Sequence, residues 1–154
     1  MNGTAGGIEE RLRRLEDIQE ITTLFMSYRR TLDERDFAAY SQLFAPAGEW
    51  TGNLGTSKGP AAIEKMLDDT AGQGFAIASG EDYHLVANPD IHVDGDRATA
   101  TSTWVFVTRD GDDRPKLSLM GHYKDDLHRT PEGWRFLRRE AFCDMPAEHL
   151  GVRQ

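Results

Sequence analysis

Apolar residues at Leu12, Leu15, Ile18, Ile21, Phe25, Tyr28 and Leu32 recur every three or four positions. That spacing predicts one buried stripe on a helix starting at Ile8 and running about six to seven turns. Glu9, Arg13, Arg14, Glu16 and Glu20 fall on its other face as ordinary solvated charge. Asp36 is placed to cap a second short helix over residues 37–44, where Phe37, Tyr40, Leu43 and Phe44 keep helical spacing before Pro46 and Gly48 stop it. Residues 49–51 read as a short strand and 52–55 as a turn. Lys58-Gly59-Pro60 then leads into a third helix with Ile63, Met66 and Leu67 inward, ended by Gly72-Gln-Gly74.

After Gly80 the period changes from helical to alternating. Residues 83–87 and 91–93 read as strands, with a turn at Asp94-Gly95 and a long strand over 97–108. In that strand Ala98, Ala100, Ser102, Trp104 and Phe106 share one face, and Thr99, Thr101, Thr103, Val105 and Val107 the other. Strands over 116–129 and 134–142 follow, separated by turns at 110–114 and 130–133. Helices first and a meander after predict an α+β fold, with a strongly curved antiparallel sheet wrapped around the N-terminal helices.

The 154 residues suit one domain, expected over 8–146 between a flexible tail at 1–7 and a C-terminal tail at 147–154. A formal net charge of −8, with no basic run, argues against nucleic acid and anionic membranes as partners. Residues 1–7 lack the charged and apolar regions of a secretion signal, so the expected location is cytoplasmic. Cys143 is the single cysteine, and the five histidines show no zinc-like pairing, so no structural metal is expected.

Several segments, in this order, resemble the SnoaL-like branch of the nuclear transport factor two-like superfamily. They are Tyr28-Arg-Arg-Thr-Leu-Asp33-Glu-Arg-Asp36-Phe37, Leu43-Phe-Ala-Pro-Ala-Gly-Glu-Trp50, His84-Leu-Val-Ala-Asn88-Pro89, Gly121-His-Tyr123-Lys-Asp125 and Gly133-Trp134-Arg-Phe. The resemblance spans residues 8–142 and implies a cone with an apolar pocket in its mouth. Relatives of this kind include scytalone dehydratase, bile acid 7α-dehydratase and hexachlorocyclohexane dehydrochlorinase. These share an Asp at the position of Asp33 and a His at that of His84, and the bile acid enzyme also has a Tyr at that of Tyr28. Other members isomerise, cyclise, bind or assemble, so fold by itself does not fix the chemistry.

The implied catalytic set is Asp33, His84 and Tyr28. Imidazole removes a proton near neutral pH, a carboxylate on its other nitrogen fixes the tautomer, and a phenol donates to the developing oxyanion. Without the resemblance, Asp33 four residues after Arg29 reads first as half of a helix-surface ion pair. Five helical residues turn about 140°, so Tyr28 and Asp33 both face the pocket only if the helix ends between them.

Trp50, Trp104, Phe106, His122, Tyr123 and Arg139 are the expected pocket wall. Strand alternation leaves open the choice between His122 and Tyr123 and between Arg138 and Arg139. The strand over 104–108 lacks the histidine or acid that dehydratases carry there. The reading is a cofactor-independent, dehydratase-like lyase or isomerase acting on a small hydrophobic cyclic carbonyl compound. The alternative is a noncatalytic ligand-binding or assembly module of the same fold. The Thr- and Val-rich strand face suggests a homo-oligomer, dimer or trimer.

Overall fold

The computed structural model describes residues 5–72 and 82–145. The expected tail at 147–154, residues 1–4 of the other tail, and the helix stop at Gly74 lie outside them. Helix α1 spans Ala5–Asp33, so it begins inside the expected N-terminal tail. Its core face holds Ile21, Leu24, Phe25, Tyr28 and Leu32, whereas Ile8, Leu12 and Leu15 are exposed. The reason is arithmetic. Leu12, Leu15, Ile18 and Ile21 are spaced by threes, and nine residues at about 100° each carry Leu12 half a turn away from Ile21.

Asp36 caps α2 (Phe37–Ser41), its Oδ1 accepting from the Ala39 N–H at 3.0 Å. Phe44 does not extend this helix but opens strand β1 (Phe44–Gly52), irregular past Pro46. Gly48 is packed where an added Cβ would lie 2.8 Å from both Ala45 O and Phe136 O, so no larger residue fits. Asn53-Leu54 turn the chain into β2 (Gly55–Lys58), with Gly55 at φ 94°. The sequence pattern missed this short strand. Helix α3 follows over Pro60–Gly72, with Ile63 and Leu67 buried.

β3 (Tyr83–Asp94) is one strand with a bulge between Ala87 and Asp90, where Asn88 takes φ 53°. The bulge explains why its two halves read separately. β4 (Arg97–Arg109), β5 (Pro115–Thr130) and β6 (Gly133–Met145) complete a six-stranded sheet ordered β2-β1-β6-β5-β4-β3.

All pairings are antiparallel except β1 with β6. The expected antiparallel sheet is therefore mixed, because β6 returns beside β1 across the whole intervening meander. On β4 the inward face is Ala98, Ala100, Ser102, Trp104 and Phe106, as the alternation predicts. The curved sheet and the helices enclose the core as an α+β cone. Among the described residues no helix is long and apolar enough to cross a membrane.

Candidate active site

Asp33 ends α1, and His84 is the second residue of β3, 51 positions later in the chain. Asp33 Oδ1 lies 2.7 Å from His84 Nδ1, and the His84 backbone N–H donates to the same carboxylate at 3.1 and 3.2 Å. The second oxygen, Oδ2, accepts from Arg29 Nη1 at 3.1 Å. The helix ion pair and the histidine contact therefore coexist, one on each oxygen. Both acid and imidazole side chains are over nine-tenths buried, at 8 % and 9 % exposure. A carboxylate on Nδ1 fixes the proton there and leaves Nε2 as the basic nitrogen. The His84 ring is held from the side by Phe106, with centroids 4.7 Å apart.

His84 lines a cavity of about 180 Å³ with Tyr28 and Leu32 of α1, Tyr40 of α2 and Tyr123 of β5. Asp33 does not line it but stands behind His84. The helix continues unbroken from Tyr28 to Asp33. The 140° rotation is accommodated because Tyr28 points into the cavity while Asp33 reaches sideways to β3.

Trp50 Nε1 donates to the Tyr28 hydroxyl at 3.2 Å, so that oxygen has its own proton to offer. Tyr40 and Tyr123 interact with the same hydroxyl. Burial, reinforced by the neighbouring Tyr28 phenol, holds both well above the ordinary phenol pKa, against a smaller opposing pull from Arg139. They are neutral donors at physiological pH.

Trp104 and Phe106 form the wall beside His84. Two glycines seat the cavity's tryptophans. An added Cβ at Gly121 would meet Trp104 Cζ2 at 2.8 Å and Phe142 O at 1.9 Å, and one at Gly52 would meet Trp50 Cη2 at 2.6 Å. Among the described residues, no carboxylate, ammonium or guanidinium lines the cavity, nor is any group of three or more His, Cys, Asp or Glu placed to hold a metal ion.

The model of the SnoaL-like domain matches residues 13–140. The chain belongs to the SnoaL-like family. The uncharacterised protein Rv2910c of Mycobacterium tuberculosis is 28 % identical over 128 residues, covering 81 % of this chain and 84 % of that one. An NTF2-like protein with a cystatin-like fold from Novosphingobium aromaticivorans superposes with a TM-score of 0.84 at 28 % identity, over 97 % of this chain and 96 % of that one. LinA superposes with a TM-score of 0.74 at 20 % identity, over 87 % and 90 %, a likeness of fold.

Within this SnoaL-like cone, two expected wall residues lie elsewhere. His122 alternates with Tyr123 and projects from the outer face, stacked on Phe142 at 4.7 Å, its Nδ1 bonded to Asp144 at 2.8 Å. Arg139 faces inward and Arg138 outward, but Arg139 is sealed beneath the wall at 0 % exposure. Its Nε and Nη2 donate to Asp125 at 2.7 Å each. Its Cζ sits 4.1 Å from the ring centroids of both Tyr28 and Tyr123.

Sequence reasoning missed Tyr40, Asn53 and Leu54 as wall residues. Tyr40 was visible only as a core position. Asn53 and Leu54 had nothing to mark them until β2 folded the turn over the mouth.

Proposed function

We propose that the protein is a cofactor-independent lyase or isomerase that removes the proton next to the carbonyl of a small, uncharged, hydrophobic cyclic compound. The observation that carries this reading is the 2.7 Å Asp33–His84 contact at the edge of an aromatic cavity, with the second imidazole nitrogen left without a protein partner among the described residues. His84 Nε2 takes the proton, and Asp33 stabilises the imidazolium that forms. The electron pair of the broken C–H bond moves toward the carbonyl oxygen, which receives the Tyr28 O–H.

The Arg139 guanidinium packs against the Tyr28 ring face and holds the phenol where its hydroxyl reaches the cavity. Elimination follows when the enolate expels a β-leaving group that takes the proton held on His84 Nε2; in a β,γ-unsaturated ketone, delivery of that proton to the γ-carbon gives isomerisation instead. A wall without ionised side chains favours an uncharged ligand, since a buried unpaired charge costs many kcal/mol. A noncatalytic binding module draws support from β4, which offers the cavity Trp104 and Phe106 but no acid or histidine.

Proton exchange separates these readings without knowledge of the natural substrate. With bicyclic aryl ketones such as tetralones in D2O, the protein is expected to speed deuterium uptake at the carbon next to the carbonyl, read by proton NMR. His84→Ala is expected to lower that rate by roughly 10²–10⁴-fold. Ketones that bind but exchange equally with wild type and His84→Ala would favour the binding module.

A further inference from the structure

Helix α1 buries one face and leaves a second, differently spaced apolar face in solvent. Its own core takes Asp17, Ile21, Leu24, Phe25 and Tyr28. On the opposite side Ile8, Leu12, Leu15, Gln19, Thr22 and Met26 follow alternating steps of four and three, the a and d positions of a heptad repeat. Ile8 is 62 %, Leu12 54 %, Leu15 64 % and Met26 41 % exposed. This seam runs about 27 Å along the helix. With Leu12 as position a, the buried residues fall at c, f and g, the far side of the heptad. No adjustment of this helix on its own sheet can bury both faces.

We propose that the seam is a contact with α1 of a second copy of this chain, laid parallel and in register. The charges flanking the seam choose this occupant. Arg11 stands at position g and Glu16 at the following e. In a parallel pair each Arg11 meets Glu16 of the second copy, on both flanks. An antiparallel pair over the same seam sets Glu16 against Glu16 of the second copy and leaves each Arg11 without an acid opposite. Gln19 at an a position is a polar layer that meets its own copy only in register, which selects alignment at some cost in stability. A seam of under three heptads is weak by itself. It therefore gives a reversible dimer whose population rises with protein concentration.

The test is disulfide cross-linking of the full chain under mild oxidation. Leu12→Cys at the seam is expected to form a linked dimer about tenfold faster than Glu10→Cys on the opposite side, because only the seam brings the two thiols within bonding distance. Cys143 is common to both variants and cancels. Sedimentation is expected to show weaker self-association by about tenfold in Ile8→Ser/Leu12→Ser/Leu15→Ser, all exposed sites where the fold tolerates serine.

Arg11→Glu should weaken association likewise, and Arg11→Glu/Glu16→Arg should restore it. Equal cross-linking rates, or a charge swap that fails to restore association, overturn the proposal. So does a wild-type chain that stays monomeric at every concentration, since the seam would then serve a different partner.

Discussion

Asp33 has two carboxylate oxygens, and the fold uses both. Oδ1 bonds His84 Nδ1, Oδ2 bonds Arg29, and the pair together accept the His84 backbone N–H. One residue thus pins the end of α1 to the start of β3 and orients the imidazole. Asp33→Asn keeps the volume and removes the charge. Because buried donors lose their acceptor, it is expected to lower stability by about 1–3 kcal/mol in urea unfolding. It should also cut ketone proton exchange by roughly 10²–10⁴-fold, since the imidazolium loses its counter-charge. Lower stability with unchanged exchange would assign Asp33 a structural role only.

At the scale of elements, the cavity wall depends on where strands leave room. Trp104 lies over Gly121, which pairs with Cys143 across β5 and β6, and its Nε1 donates to His122 O at 3.3 Å. In Gly121→Ala the methyl meets backbone as well as indole, so Trp104 and β6 must both move. The expected cost is about 1–3 kcal/mol, measured as a lower urea midpoint, with a shifted tryptophan emission. An unchanged emission would show that Trp104 keeps its seat.

Such features explain what the sequence made legible and what it hid. Alternation on β4 showed the inward face because burial acts on every second side chain there. The α1 stripe was legible from Ile21 to Leu32 but not before, because steps of three drift round the helix. The parallel β1–β6 pair depends on contacts about 90 residues apart, and neither strand's own pattern records its partner. The motifs around Asp33 and His84 single out two residues that the structure brings into contact, whereas nothing around Arg139 signals that it lies beneath Tyr28. Period two says that a side chain points inward and nothing about how deep it lies.

Across the whole molecule, helices and sheet close around a cluster of phenols at the cavity wall. Tyr40 and Tyr123 keep their protons well above the ordinary phenol value of 10.0 when folded. The unfolded chain releases them near that value, so their contribution to stability is complete below about pH 10 and is lost as pH rises beyond it. An absorbance titration at alkaline pH is expected to show these two phenols ionising only together with unfolding. Ionisation of all four tyrosines before any loss of helical circular dichroism would contradict it.

The same closed wall makes one observation decisive for the proposed chemistry. A crystal structure with a bound tetralone should place the carbonyl oxygen within hydrogen-bond distance of the Tyr28 hydroxyl and the adjacent CH2 against His84 Nε2. A ketone bound with its carbonyl toward Asn53 at the mouth, and no carbon bearing an acidic hydrogen near His84, would contradict the mechanism.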